Sequence, residues 1–306
     1  MTVIALASAK GAPGVSTAAL ALALMWPRPV LLVDADPSGG DLLAGFYRGE
    51  RPAGPGVVGA TLAARRDPMT AAIWSQVLPL ADGRRAWLLA GVSSPQQARS
   101  VDWQGLADAL PGLERDGDPV DVLVDLGRLR SPTEATRPDS PGPEPLLRAA
   151  DLVVLLLAGT LPAVRAAQLR VEQLQGMLPT GLSGSRLVCA LAGKGRPYGA
   201  TEIARELGVP VAATLPVDAG TAGTLLAGAP ARRGWRRGPL MRAAATTAGL
   251  LEELAAVHAV QDVPPPAGIR AVAAPPTSVV TAPPASVPAE RGWAPLPSAP
   301  SRGARR

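Results

Sequence analysis

The ten-residue segment 8–17, SAKGAPGVST, combines glycines, a lysine and hydroxyl side chains that could bind a phosphate group. An apolar run precedes this segment and an Ala/Leu-rich run follows it. Gly11 and Gly14 would let backbone N–H groups face an anion, and a following helix would direct the positive end of its dipole there. The hydroxyls of Ser16 and Thr17 could bind Mg²⁺ or cap that helix. The pattern indicates a phosphate-binding loop, with a generic glycine-containing turn as the alternative.

The loop departs from the usual phosphate-binding pattern at Val15, which stands where such loops carry a lysine that contacts the β- and γ-phosphates. Of the 30 basic residues only Lys10 and Lys194 are lysines, so compositional bias would have supplied arginine here rather than valine. Loss of one charged hydrogen bond costs about 1.5–3 kcal/mol of affinity. Loss of a group that stabilises transition-state charge slows a reaction by about 10²–10³. We therefore expect weakened nucleotide binding and slow or absent hydrolysis.

Three aspartates follow other apolar runs. Asp34 and Asp36 close the segment VLLVDAD, and Asp125 closes VDVLVD. In an open parallel sheet the carboxyl ends of the strands meet at one edge, where ligands bind. Carboxylates at that edge suit a Mg²⁺–triphosphate site, in which some hold the metal and one orients water. The alternative is that each aspartate caps a strand-to-helix junction, and Asp36, which precedes Pro37, fits that alternative best.

Short apolar runs alternate with helical stretches along the chain, and the loop and the aspartates lie at the ends of these runs. The runs are apolar throughout, as expected for strands covered on both faces. The predicted strands are 3–7, 30–33, 86–90, 120–124, 152–157, 187–192 and 211–215, and the predicted helices are 16–25, 41–47, 103–113, 163–177, 200–207 and 239–257. This alternation predicts an α/β fold with a doubly wound, mostly parallel sheet and helices on both faces.

Composition divides the chain into two parts. After Val263 proline, alanine, serine and arginine dominate, so we expect a globular domain over 1–260 and a disordered tail over 261–306. The single cysteine, Cys189, falls in a predicted buried strand and excludes a disulfide framework within the chain. It suits a reducing cytoplasm. No signal peptide is recognisable, and Pro27 and Pro29 divide the one membrane-like run. We therefore expect a soluble cytoplasmic protein.

Four segments, in order, resemble the MinD/ParA family of deviant Walker A ATPases over about residues 1–258. They are KGAPGVS, VDADPSGGDL, VLVDLG and EIARELGVPVAATLPVDAGTAGTLLAGAP. The resemblance implies a P-loop NTPase fold that binds ATP and Mg²⁺. It also implies that Lys10 is the signature lysine, which reaches the partner's phosphates in a nucleotide-sandwich dimer. Asp36 would position the hydrolytic water, and Ser16, Asp34 and Asp125 would serve the metal.

The same resemblance carries over a set of nucleotide-binding positions. They are Lys10, Gly11, Ala12, Pro13, Gly14, Val15, Ser16, Thr17, Lys194 and Pro216. Two departures accompany Val15: Pro13 removes a backbone N–H, and CALAGKG lacks the asparagine that commonly contacts adenine. The resemblance implies an ATP-dependent dimerising switch that partitions or positions cargo. A non-hydrolysing pseudo-ATPase that serves as a scaffold for a protein partner is the alternative.

Further patterns bear on partners and on excluded classes of protein. The basic segment RRGWRRGPLMR could contact a DNA backbone through Arg232, Arg233, Arg236 and Arg237. Its alternative is a solvated lead-in to the last helix. The proline-rich tail cannot form an amphipathic membrane-anchoring helix. One cysteine is too few for an iron–sulfur carrier, and with a single distant histidine it provides no Cys/His nucleophile pair.

Overall fold

The computed structural model describes residues 1–10, 14–48, 56–81, 83, 85–131, 142–178, 186–193, 197–230 and 233–259. Several predictions fall on other parts of the chain. Gly11, Ala12, Pro13, Lys194, Arg232 and the segment 261–306 lie outside the described residues. The roles predicted for them, and the division of the chain at residue 260, therefore stay predictions.

An eight-stranded sheet forms the centre of the described structure. Its strands are β1 (Val3–Ser8), β2 (Val30–Asp34), β3 (Leu78–Pro79), β4 (Ala86–Leu89), β7 (Asp121–Arg128), β8 (Leu152–Leu157), β9 (Leu187–Leu191) and β10 (Val211–Thr214). The order is β10-β9-β8-β1-β7-β2-β4-β3, and every pair is parallel except β3 with β4. A separate hairpin pairs β5 (Glu114–Arg115) with β6 (Asp118–Pro119). The predicted mostly parallel α/β sheet is confirmed.

Helices connect these strands and cover the sheet. They are α1 (Val15–Met25), α2 (Leu42–Phe46), α3 (Gly56–Ala63), α4 (Met69–Trp74), α5 (Pro95–Ala98), α6 (Trp103–Ala109), α7 (Glu144–Ala149), α8 (Leu161–Met177), α9 (Ala200–Leu207), α10 (Ala219–Leu226) and α11 (Pro239–Ala259). Short 3₁₀ turns occupy Leu110–Gly112 and Trp235–Arg237. None of the helices in the described ranges is long and apolar enough to cross a membrane.

The strands are apolar throughout because consecutive side chains enter different core layers. In β1, Ile4 and Leu6 pack in the layer that contains α1 and α11, whereas Val3, Ala5 and Ala7 pack in the layer on the opposite face. The second layer also takes in buried residues of α6, α7, α8 and α9. A doubly wound sheet follows directly from this two-sided burial.

Cys189 lies in β9 and is buried in the core, as predicted. Burial raises the pKa of its thiol to about 12. The side chain therefore remains a neutral thiol at physiological pH and contributes to packing.

Candidate functional site

Asp34 and Asp125 lie side by side at the carboxyl ends of β2 and β7, where the strand register pairs them directly. Both are buried, and they follow Leu32 and Leu123 by two residues, so they face the layer that contains α1. Within the described part of the structure the Oδ2 atom of each carboxylate has no hydrogen-bond partner. Buried polar atoms without a partner are rare. Two such oxygens on adjacent strands suit a hard cation such as Mg²⁺.

The electrostatics of this pair support the same interpretation. Burial and the neighbouring charge of Asp125 raise the pKa of Asp34 well above its ordinary value. Burial also raises the pKa of Asp125 to about 6, although hydrogen bonds from the Ser16 side chain and the Gly127 N–H oppose that change. The Gly127 N–H lies 2.9 Å from Oδ1 of Asp125. A bound divalent cation would offset the repulsion between the two carboxylates.

Helix α1 begins beside this pair. Gly14 takes the left-handed conformation with φ +83° immediately before the helix. The Ser16 side chain in the first turn of the helix lies close enough to Asp125 to lower the pKa of that carboxyl. The first turn of α1 contains no acidic residue, so its positive dipole end is not neutralised from within. The structure thus brings Ser16, Asp34 and Asp125 close together, and their role in holding a metal stays a prediction.

A third strand contributes to the site through glycine. A Cβ atom at Gly91, two residues after β4, would lie 2.7 Å from Cγ of Asp34, and one at Gly40 would overlap Oδ2 of the same side chain. The Gly40 N–H also donates to the carbonyl of Val92 at 2.7 Å. Sequence reasoning missed Gly91, and its one local signal is a position at the end of an apolar strand. Only a residue without a side chain fits here.

Asp36 occupies a partly buried position in the loop after β2. Its Oδ1 atom accepts the Ser38 N–H at 2.8 Å, which matches the capping alternative. Burial raises the pKa of Asp36. Its carboxylate also rests against Gly127, where φ is +58° and an added Cβ would overlap Oδ2. Asp36 therefore lies beside the segment that follows Asp125, whatever its local capping role.

Val15 and Lys10 have opposite environments. Val15 is 6% exposed and belongs to the apolar layer formed by α1 and its neighbours. Lys10 follows β1 and is exposed. The position that carries a lysine in ordinary phosphate-binding loops is thus an apolar core position in this protein.

A cavity of about 190 Å³ opens beside the start of α1. Its lining residues are Gly14, Thr17, Ala18, Ala192, Gly193, Leu215, Pro216, Val217, Asp218, Ala219, Ala222 and Leu240. Asp218 caps the amino-terminal end of α10, because its carboxylate accepts hydrogen bonds from the Thr221 N–H at 3.0 Å and from the Thr221 hydroxyl at 2.7 Å. These bonds lower the pKa of Asp218. The other walls are largely apolar, and the volume suits one part of a ligand rather than a whole nucleotide.

The donor set fits Mg²⁺ that is held jointly with a ligand. No group of three or more His, Cys, Asp or Glu side chains is placed to hold a metal within the described ranges. Mg²⁺ usually takes one or two carboxylates and completes its octahedron with phosphate oxygens and water. Asp34 and Asp125, with the Ser16 hydroxyl close by, match that requirement.

The described part of the basic segment is exposed. Arg233, Arg236 and Arg237 all face solvent, and the Arg236 guanidinium lies 5.4 Å from the centre of the Trp235 ring. Arg242 donates to the carbonyl of Arg237 at 2.6 Å. This arrangement is compatible with a solvated lead-in to α11, and contact with DNA stays a prediction.

Comparison with known proteins gives a consistent result at the level of fold. The sequence matches no family model and no curated protein. A ParA family ATPase from Chlorobium tepidum is similar at TM-score 0.60 and 18% identity, covering 81% of this chain and 98% of that one. MinD from Aquifex aeolicus is similar at TM-score 0.61 and 17% identity, covering 83% and 98%. MinD of Pyrococcus horikoshii, complexed with Mg-ADP, is similar at TM-score 0.59 and 17% identity, covering 84% and 98%.

These similarities define the class of fold. The chain has the fold of the MinD and ParA ATPases, over nearly the full length of each compared structure. The resemblance seen in the four sequence segments is therefore confirmed for the architecture. What the individual site residues do is a separate question, because at 17–18% identity the fold does not determine the chemistry.

Proposed function

We propose that this protein is a MinD/ParA-like nucleotide-binding protein that binds Mg²⁺–ATP and acts as a dimerising switch in the partitioning or positioning of cargo. The observation that carries the proposal is the pair of buried oxygens of Asp34 and Asp125, which accept no hydrogen bond from any described residue and lie beside Ser16. A cytoplasmic location and an unidentified protein partner complete the proposal. The Mg-ADP complex of MinD from Pyrococcus horikoshii supports it by analogy.

Each part of the nucleotide has a place in this proposal. The phosphates bind at the amino-terminal end of α1, where backbone N–H groups and the helix dipole favour an anion. Ser16, Asp34 and Asp125 hold Mg²⁺, which neutralises phosphate charge when it is bound. Pro216 and Thr17 lie at the apolar cavity, which takes the base. Asp36 positions water, and Lys10 of one copy reaches the phosphates of the other.

Hydrolysis is slow or absent in this proposal, because Val15 provides no cation at the β- and γ-phosphates. Its burial in the apolar layer also favours a second candidate function. In that candidate the protein retains the fold as a pseudo-ATPase scaffold and binds its partner without nucleotide. The two functions differ in whether ATP binds at all.

Calorimetric titration of Mg²⁺–ATP tests the proposal. Wild type should bind, and Asp125→Asn should bind about tenfold more weakly or worse, because one charged metal ligand is lost. Asp116→Asn removes an exposed carboxylate in the turn between β5 and β6 and should bind like wild type. Absence of wild-type binding at millimolar nucleotide overturns the proposal.

Two further variants separate the switch from the scaffold. Lys10→Ala should abolish binding, and light scattering should show a nucleotide-dependent dimer in wild type that this variant lacks. If wild type shows no ATP binding in the calorimeter and Val15→Lys does bind ATP, the pocket is intact and the protein is the pseudo-ATPase scaffold. Equal partner binding with and without nucleotide, unchanged in Asp36→Ala, would also favour the scaffold.

A further inference from the structure

The chain has an exposed arginine, Arg128, at the same edge of the sheet as Asp34 and Asp125. We propose that Arg128 contacts the terminal phosphate of the bound nucleotide and supplies the positive charge that Val15 does not. This inference rests on the proposed function, and it assigns Arg128 a role that the loop motif alone does not suggest.

The end of β7 places Arg128 beside the phosphate-binding loop. The strand continues three residues beyond Asp125, and Arg128 is there in register with Ser8 of β1. The N–H of Leu129 donates to the carbonyl of Ser8 at 2.9 Å, which holds this extension against β1. Ser8 is two residues before Lys10, so Arg128 lies next to the first residues of the loop.

Gly127 brings the same segment against Asp36. Its φ of +58° and its missing side chain let the backbone turn directly beneath the Asp36 carboxylate. The backbone of Arg128 therefore begins directly after the glycine that packs against Asp36. In the proposed function Asp36 positions the water that attacks the terminal phosphate. In the proposed function this places Arg128 on the terminal-phosphate side of the site, because the cavity proposed for the base has no lining residue from β7.

Arg128 is also available to an anion. The nearby Arg130 is paired with Glu144 at 3.5 Å, and both of these side chains are about 15% exposed or less. Arg128 is exposed, and its side chain forms no ion pair or hydrogen bond with any described residue. A guanidinium remains charged at all physiological pH values, and its planar fork matches two phosphate oxygens at once.

The test compares ATP with ADP, because only ATP has the terminal phosphate. Mg²⁺–ATP and Mg²⁺–ADP are titrated calorimetrically into wild type, Arg128→Ala, Arg128→Lys and Arg205→Ala. Arg205 is an exposed arginine in the last turn of α9, close to where β10 begins at the opposite edge of the sheet. Arg128→Ala should weaken ATP binding about tenfold or more and leave ADP binding within twofold. Arg128→Lys should fall in between, and Arg205→Ala should match wild type.

The results of these titrations either support or overturn the role assigned to Arg128. Unchanged ATP affinity in Arg128→Ala overturns the assignment while leaving the proposed function intact. An equal loss for ATP and ADP also overturns it, because a general distortion of the site would not distinguish the two ligands. Wild type that binds neither nucleotide refutes the proposed function, and the role of Arg128 falls with it.

Discussion

Among individual residues of the candidate site, Asp34 and Asp125 have the least favourable electrostatic environment. Asp34 and Asp125 are buried, adjacent in register, and each retains a carboxylate oxygen without a donor in the described structure. Burial of an unpaired charge is unfavourable. It disfavours the ionised form of both carboxyls and therefore raises the pKa of each. A site that destabilises the fold in this way is typical of function rather than of packing.

The unfavourable burial of the ionised Asp125 carboxylate predicts how the free energy of unfolding depends on pH. The folded-state pKa of Asp125, about 6, lies above its unfolded value, so the folded protein retains a proton that the unfolded chain has lost. The free energy of unfolding without Mg²⁺ should therefore fall as pH rises from about 4 to 7, by about 3 kcal/mol from this group. Asp125→Asn should raise it at pH 7 by about 1–3 kcal/mol and flatten the profile. Urea unfolding across pH measures this, with Asp116→Asn as control.

If Asp125→Asn instead unfolds more easily than wild type at pH 7, the carboxylate contributes to stability and the electrostatic interpretation is wrong. The expected combination, a more stable protein with weaker Mg²⁺–ATP binding, is the usual trade between stability and function.

At the scale of elements, the site depends on loops that approach one another closely. The loop after β2 and the loop after β4 are joined by the hydrogen bond from Gly40 to Val92, and Gly40 and Gly91 enclose the Asp34 side chain. The sequence predicts both strands but not this enclosure. The segments after two strands, β2 and β4, therefore enclose this carboxylate.

Gly91→Ala tests the enclosure. The new Cβ would lie 2.7 Å from Cγ of Asp34, so the side chain or the backbone must move. We expect a loss of about 1–3 kcal/mol in the free energy of unfolding and weaker Mg²⁺–ATP binding. Gly112→Ala, where no atom lies within 4 Å of the added Cβ, is the matched control. Wild-type binding by a folded Gly91→Ala protein would show that the enclosure does not position Asp34.

At the scale of the whole molecule, the two edges of the sheet differ in how well polar groups are satisfied. At the amino-terminal edge the buried Asp121 accepts the Thr2 N–H at 2.8 Å, the Trp26 indole N–H at 2.9 Å and two bonds from Arg28 at 2.8 and 2.9 Å. The Arg28 Nε atom also forms an ion pair with Oε1 of Glu252 in α11, at a distance of 2.7 Å. The amino-terminal edge thus links α11 to the sheet. At the opposite edge Asp34 and Asp125 each keep one oxygen that accepts no hydrogen bond from a described residue.

Asp121→Ala should therefore destabilise the fold, because it leaves several buried donors without an acceptor. We expect a loss of about 3 kcal/mol or more in the free energy of unfolding. Asp118→Ala breaks the exposed pair with Arg85 and should cost less than about 1 kcal/mol. Chemical denaturation of both variants measures the difference, and Mg²⁺–ATP binding by the folded Asp121→Ala fraction should match wild type. Similar losses in the two variants would contradict the distinction between the edges.

Much of the architecture is readable from local sequence. All seven predicted strands are present. Each is a continuous apolar run, as expected for a strand that is covered on both faces, and such a run can be recognised without knowing which strand it pairs with. The helices α3, α4, α5, α7 and α10 were not predicted. They are short, and helices of that length are stabilised by packing rather than by their own pattern. The long periodic segments α8 and α11 were predicted to within two residues at each end.

The α/β fold and the location of Asp34 and Asp125 at strand ends could be predicted from the sequence without the structure. Those features follow from apolar periodicity and from the common direction of parallel strands. Four features became visible only in the folded structure: the register pairing of the two carboxylates, the burial of Val15, the enclosure of Asp34 by Gly91, and the lack of an ion pair between Arg128 and any described residue. Each of these depends on contacts between residues far apart in the chain, which local pattern does not encode.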